Sequence, residues 1–191
     1  MSKKLKIGLQ IVSFFLYFGL IGAALQCLTP LGSLLQLFSG SAANDILHDS
    51  DYLVIGNHAH LSATTISHFP EVPYGICTTI GSALLGIGSL YVTWALLQII
   101  ANMNRGKYFT VENQHCIKNI LISLGFFCGA TTFLAAANQM TESYLFRTNV
   151  GYQAATWSDI GSYLFLIIVV GLIYTVFNQA LSMKKEQDLT I

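Results

Sequence analysis

Residues 158–182, SDIGSYLFLIIVVGLIYTVFNQALS, form an apolar run whose one charged side chain, Asp159, lies at its start. A helix of roughly 20 such residues crosses the ~30 Å hydrocarbon core of a bilayer. Similar runs lie at 7–28, 75–101 and 117–139. Backbone polar groups in lipid have to be satisfied within their own segment, so each run should be helical. The sequence therefore predicts an all-α integral membrane protein, a four-transmembrane-helix antiparallel bundle.

Composition supports this class. The chain has 191 residues, of which 53% are hydrophobic and 9% are charged, whereas soluble domains carry about 25% charged residues. We expect a single membrane domain over 1–191. The run at 7–28 follows a basic start and could be a signal peptide, but it is too long and lacks a small-x-small cleavage site. The formal net charge is zero, so we expect no direct nucleic-acid binding.

The positive charges are asymmetric. Arg147 lies on one side of the four runs, and the other eight basic residues lie on the opposite side: Lys3, Lys4, Lys6, Arg105, Lys107, Lys118, Lys184 and Lys185. The positive-inside rule then places both termini in the cytoplasm. We expect a multi-pass protein of the bacterial cytoplasmic membrane, with outer loops at 29–74 and 140–157, an inner elbow at 102–116 and a cytoplasmic tail at 183–191.

The spans themselves suggest packing and no chemistry. No Asp, Glu, Lys, Arg or His lies deep in any run, which disfavours coupled transport. Paired acids, bases and nucleophiles are also missing there, so we predict no enzymatic activity and no cofactor. Small residues spaced by four allow helices to approach closely, at Gly19/Ala23, Ser82/Gly86 and Gly125/Gly129. Packing within the chain is the favoured interpretation, and a homo-oligomer face is the alternative.

The first outer loop is the most polar segment. Tyr52–Ile55, Gly56-Asn57 and the stretch from His58 match a two-residue β-hairpin, because Gly-Asn suits the positive φ values of primed turns. Alternation along a strand puts His58 and His60 on one face, with His48 and His68 in flanking segments. These four histidines could hold Zn²⁺ or Cu²⁺, sense protonation, or be ordinary loop residues.

Two cysteines, Cys27 and Cys77, lie at the outer ends of neighbouring spans. A disulfide is permitted there in an oxidising compartment. Buried free thiols are the default interpretation, and the sequence does not decide between the two.

The inner elbow has the most specific local pattern. Gly106 suits a turn, Thr110 suits a helix N-cap, and Glu112 suits the first helical turn, where the helix dipole favours an acid. Arg105 and Lys107 stand beside the aromatic pair Tyr108-Phe109. The elbow is therefore interpreted either as a capping structure or as a protein-docking surface.

The elbow from Gly106 to Asn113 and the tail Lys-Glu-Gln-Asp-Leu-Thr-Ile at 185–191 resemble those of the YoaS-like family of uncharacterised four-span bacterial membrane proteins. The resemblance implies a cytoplasmic partner, a small helix-turn-helix transcription regulator. The residues expected to bind it are Arg105, Lys107, Phe109, Glu112, Asn113, Asp188 and Leu189.

Two hypotheses for function follow. In the first, the chain is a membrane regulatory or sensory protein that binds a cytoplasmic partner. In the second, it binds a small ligand or a metal ion through its outer histidine-containing loop.

Overall fold

The computed structural model describes residues 3–56 and 62–189. The helices are α1 (Lys3–Gln26), α2 (Thr29–Ser39), α3 (Ala42–His48), α4 (Ala63–Ser67), α5 (Glu71–Asn104), α6 (Val111–Leu145) and α7 (Trp157–Leu189). Two short strands complete the described chain, β1 (Tyr52–Val54) and β2 (Arg147–Asn149).

Four helical segments are long and apolar enough to cross a membrane: Lys6–Ser39, Glu71–Asn104, Val111–Leu145 and Trp157–Gln187. Each contains most or all of one predicted run, so the prediction of four spanning helices is confirmed. Helices α5 and α6 have 34 and 35 residues, a length of about 50 Å, and extend beyond a hydrocarbon core of ~30 Å. The chain is a multi-pass membrane protein by the length and composition of these helices.

Helices α5 and α6 form the central pair of the fold. Helix α1 and α2 pack against α5, and α7 packs against α6. Small residues permit the central contact, since Ser82, Ser123 and Ala130 are fully buried. A Cβ on Gly81 would lie 2.7 Å from Cγ of Leu134, so the missing side chain at Gly81 lets α5 and α6 approach closely.

Of the glycines in the small-residue pairs, Gly19, Gly86 and Gly129 lie at contacts within the chain, as the favoured interpretation predicts, and Gly125 does not. A Cβ on Gly86 would lie 3.1 Å from Sγ of Cys27, and one on Gly129 would lie 3.4 Å from Cδ1 of Leu84. A Cβ on Gly19 would lie 3.7 Å from Cγ2 of Thr93, whereas one on Gly125 meets nothing within 4 Å.

The first outer segment differs from the predicted loop. Residues 29–39 continue as helix α2 after a break at Cys27 and Leu28, with Pro30 in the first turn, where a missing N–H costs no hydrogen bond. Helices α3 and α4 follow, and α5 begins at Glu71, earlier than the predicted run.

The predicted β-hairpin is not seen among the described residues, and part of its second strand lies outside them. Strand β1 lies where the sequence places it, but it pairs antiparallel with β2 of the second outer segment, with Leu53 opposite Thr148. Of the predicted second strand, His58 and His60 lie outside the described residues, and residues 63–67 are helical because the Ser62 hydroxyl caps α4 by accepting from the Thr65 N–H. Strand β1 thus ties the two outer segments together.

Candidate functional site

Helix α3 and the paired strands β1 and β2 are called the outer cap, after the side of the membrane that the positive charges predict. A polar cavity of about 410 Å³ lies under this cap, at the ends of α5 and α6 opposite the elbow. It is lined by residues of α2, α3, β1, α5, α6 and β2, of the segment between α3 and β1, and of the segment that follows β2. Its polar lining comprises Thr29, Ser33, Gln36, Asp45, Asp49, Asp51, Tyr52, Tyr74, Thr78, Asn138, Asn149, Tyr152 and Gln153. Both outer segments and both central helices therefore contribute to one site.

Two tyrosines form a polar bridge beside this cavity. The Oη atoms of Tyr52 and Tyr74 are 2.8 Å apart, and the Asn149 amide donates to Oη of Tyr52 at 3.4 Å. Burial raises the pKa of Tyr52, and the negative charges of Asp49 and Asp51 act in the same direction although the hydrogen bonds oppose them. Tyr52 is therefore a neutral hydroxyl at physiological pH, able to donate as well as to accept.

Three carboxylates give the cavity a negative potential. Asp45 accepts from Gln36 Nε2 at 3.2 Å and from the Ser41 hydroxyl at 3.0 Å. Asp49 accepts the Asp51 N–H at 2.9 Å. No Lys, Arg or His is among the described residues that line the cavity. Because lining charges of one sign raise the local concentration of opposite charge, the cavity suits a ligand with a cationic group.

Asn138 and Asn149 fix the wall formed by the second outer segment. Oδ1 of Asn138 accepts the Asn149 N–H at 2.7 Å, and Oδ1 of Asn149 accepts the Gly151 N–H at 2.8 Å. The chain then reaches Gln153, whose buried Nε2 has no hydrogen-bond partner among the described residues. One donor at the cavity thus remains free for a ligand.

Glu71 holds α3 in place over the cavity. Its two carboxylate oxygens accept the backbone N–H groups of Ala42 and Ala43, both at 3.0 Å. These N–H groups belong to the first turn of α3, where a helix lacks internal acceptors. Helix α3 also buries Ile46 against Phe69 and Tyr74.

We expect Glu71→Gln to lower the free energy of unfolding by about 1–2 kcal/mol, because the amide keeps one acceptor and sets a donor against the other N–H. Hydrogen exchange in residues 42–48 should accelerate, while exchange in the middle of α6 stays unchanged. Equal exchange of α3 in both proteins would contradict this role.

The predicted metal residues are not assembled by the described chain. Nδ1 of His48 lies 2.8 Å from the Asn44 carbonyl oxygen, and Nδ1 of His68 lies 2.7 Å from that of Thr64. Each ring thus packs on its own helical turn. Within 3–56 and 62–189, no group of three or more His, Cys, Asp or Glu residues could hold a metal ion. Metal binding through His58 and His60 stays a prediction, because both lie outside the described residues.

The two outer cysteines are free thiols, as are Cys116 and Cys128. Cys27 packs against Gly86, whereas Cys77 packs against the cluster that contains Tyr74. Cys27 and Cys77 are therefore free thiols in this structure, but they are half-buried and not fully buried as the default interpretation has it.

At the other end of α5 and α6, Asn113 organises the inner elbow. This 3% exposed residue donates through Nδ2 to the carbonyl oxygens of Lys107 and Tyr108 at 2.8 and 2.7 Å, and accepts from Asn102 Nδ2 at 2.8 Å. The predicted turn and cap are both present: Gly106 has φ 75°, and the Thr110 hydroxyl caps α6.

The remaining predicted docking residues surround this elbow. Arg105, Lys107 and Glu112 are exposed, and Phe109 stacks on Phe177 of α7 with ring centroids 5.5 Å apart. Asp188 and Leu189 are the last two residues of α7. The structure thus brings Phe109 of the elbow into contact with α7. Asn113 is buried, and it holds the backbone of the elbow rather than presenting its side chain to a partner.

Comparison with protein families finds a match over residues 57–191 to the family described as "Protein of unknown function (DUF2975)". The matched part covers more than half of the chain. The chain belongs to the DUF2975 family. Comparison with curated proteins and with solved structures found no match.

Only some of the residues that line the outer cavity lie within the DUF2975 match. Tyr74, Thr78, Asn138 and Asn149 lie within the matched residues, whereas the three aspartates and Tyr52 precede them. Sequence analysis did not identify this cavity. The acidic stretch at 45–51 was the available signal, but which of its side chains face a cavity depends on the pairing of β1 with β2.

Proposed function

We propose that this DUF2975 protein is a sensory or regulatory membrane protein, in which a small ligand in the outer cavity alters the binding of a cytoplasmic partner at the inner elbow. One observation carries the proposal: the helices that line the cavity through Tyr74, Thr78 and Asn138 are the two helices that the elbow joins at their other ends.

The proposal includes an orientation. Both termini and the elbow lie in the cytoplasm of a bacterial cell, and the cavity faces outward from the cytoplasmic membrane. The supporting feature is the charge distribution, with eight of nine Lys and Arg residues on the elbow side. The acidic cavity lies on the opposite side, where Arg147 is the remaining basic residue.

The proposed partner is the small helix-turn-helix regulator implied by the resemblance to the YoaS-like family. Exposed Arg105 and Lys107 provide a basic surface, and the stack of Phe109 on Phe177 places α7 beside it. The surface is small, so the complex is transient. We expect the partner's contact region to be acidic, because an acidic surface complements Arg105 and Lys107.

Communication between the two ends requires that the outer ends of α5 and α6 take two arrangements with different affinities for the ligand. The cavity has the components for this, because Tyr74 of α5 and Asn138 of α6 each bond to a different outer strand, to β1 through Tyr52 and to β2 through Asn149. Ligand contact with the strands therefore acts on both helices.

The test compares two charge reversals. We expect Lys107→Glu to weaken binding of the purified regulator by about tenfold, and Lys118→Glu to leave it unchanged. Both lysines are exposed and each substitution changes the charge by the same amount, but Lys118 lies beyond the elbow in α6. Surface plasmon resonance on the membrane-embedded protein gives both affinities. Equal affinities for the two variants and the parent would contradict the proposed docking surface.

A further inference from the structure

A second cavity, of about 590 Å³, lies as a groove between α1 and α5. Its walls contain Gly19, Gly22 and Ala23 of α1 and Ser89 and Thr93 of α5. A Cβ on Gly22 would meet nothing within 4 Å, so the groove is open space along this side of α1. At membrane depth such a groove suits an alkyl chain.

Gln26 marks the outer end of this groove. Its side chain is 7% exposed and lines the groove, and its Nε2 has no hydrogen-bond partner among the described residues. A buried donor without a partner is costly in a native structure and calls for an explanation. A bound molecule with a carbonyl oxygen at this point would supply the acceptor.

The groove adjoins the acidic cavity. Thr29 and Tyr152 line both spaces, and Thr29 follows Gln26 at the break between α1 and α2. From Thr78, which lines the acidic cavity, to Thr93 in the groove, α5 descends about 22 Å. The acidic cavity and the groove are therefore arranged end to end along the axis of α5.

We propose that the two spaces hold one ligand, a single-chain amphiphile with a cationic ammonium head; this rests on the proposed function and names its ligand class. The head lies among Asp45, Asp49 and Asp51. An ester or amide carbonyl of the ligand accepts from Nε2 of Gln26, and the chain follows Gly22 and Gly19 down the groove.

The test uses three probes that separate these features. Lauroylcholine has the cationic head, the ester and the chain; acetylcholine has the same head and ester without the chain; dodecanoate has the chain with an anionic head. Binding to the full chain in the uncharged detergent dodecyl maltoside is measured by native mass spectrometry. We expect lauroylcholine to bind at least about tenfold more tightly than acetylcholine, and dodecanoate to bind more weakly than lauroylcholine.

Two matched substitutions test where the alkyl chain of the ligand lies. Gly22→Leu fills the groove and should remove the advantage of lauroylcholine over acetylcholine, whereas Gly8→Leu should retain it, because Gly8 lies on the same helix with open space around it and outside the groove. Micelle partitioning is the same for both variants, so their difference reports on the groove. Ser89→Leu fills the groove from α5 and serves if Gly22→Leu fails to fold.

The head is tested with Asp49→Asn, which keeps the oxygen that accepts the Asp51 N–H but removes the charge. We expect both choline esters to bind this variant several-fold more weakly. If lauroylcholine keeps the same advantage over acetylcholine in Gly22→Leu, Ser89→Leu and Gly8→Leu, the groove assignment is overturned. If neither choline ester binds the parent protein, the ligand class is overturned. The comparison of Lys107→Glu with Lys118→Glu is made without ligand. A failure of the proposed docking surface is therefore distinguished from a failure of the ligand assignment.

Discussion

Replacement of Asn113 by leucine is expected to lower the free energy of unfolding by about 3 kcal/mol or more, because each buried polar group left without a partner costs roughly 1–3 kcal/mol. The Asn113 side chain is the shared partner of the Lys107 and Tyr108 carbonyl oxygens and of the Asn102 amide. Leucine has the same branched arrangement of side-chain heavy atoms, so the substitution leaves no cavity at this position.

Chemical unfolding in mixed micelles measures this effect, and Asn44→Leu is the control. Asn44 is exposed on α3, and its replacement should change stability by less than about 0.5 kcal/mol. If the two variants unfold at the same denaturant concentration, the hydrogen bonds of Asn113 do not stabilise the elbow. Partner binding should fall together with stability in Asn113→Leu, since the exposed residues of the elbow depend on its shape.

Replacement of Gly81 by isoleucine should produce the second large effect. The new Cβ would lie 2.7 Å from Cγ and 2.9 Å from Cδ2 of Leu134, and 3.3 Å from the Ala130 carbonyl oxygen. A shift of Leu134 alone does not relieve the contact with the backbone of α6, so α5 and α6 have to separate. We expect a loss of about 2–3 kcal/mol, in the upper part of the range for overpacked interiors.

Gly125→Ile is the matched control for this substitution, because a Cβ on Gly125 of α6 meets nothing within 4 Å. Both changes add the same atoms to a long helix, so helix propensity contributes equally. Thermal unfolding in detergent should show a lower midpoint for Gly81→Ile than for Gly125→Ile, and ligand binding in the outer cavity should weaken in Gly81→Ile alone, since Leu134 also lines that cavity. Equal midpoints would show that Gly81 is not required for the approach of the two helices.

The parts of the fold that the sequence predicted are those decided by neighbouring residues. A run of apolar residues has to be helical in lipid whatever surrounds it, so all four spans were predictable. The roles of Gly106 and Thr110 were also predictable from neighbouring residues, because a left-handed turn and a helix cap involve residues only a few positions apart.

The outer cap was not predictable in this way because its contacts are distant in the chain. Tyr52 pairs with Asn149, and Glu71 caps a helix that begins at Ala42. The sequence of residues 52–60 suits a local hairpin, but strand pairing depends on which strand edge is available in the folded chain. The acidic cavity depends on the same pairing, so the sequence alone did not identify its residues as a site.

The positions of β1 and β2 in the chain also determine when the two strands can pair. Strand β1 leaves the ribosome before α5 and α6, and β2 follows both of them. An early strand with a free edge is exposed to wrong partners until its own partner arrives. The β1–β2 pair therefore forms only after the central helix pair has been synthesised.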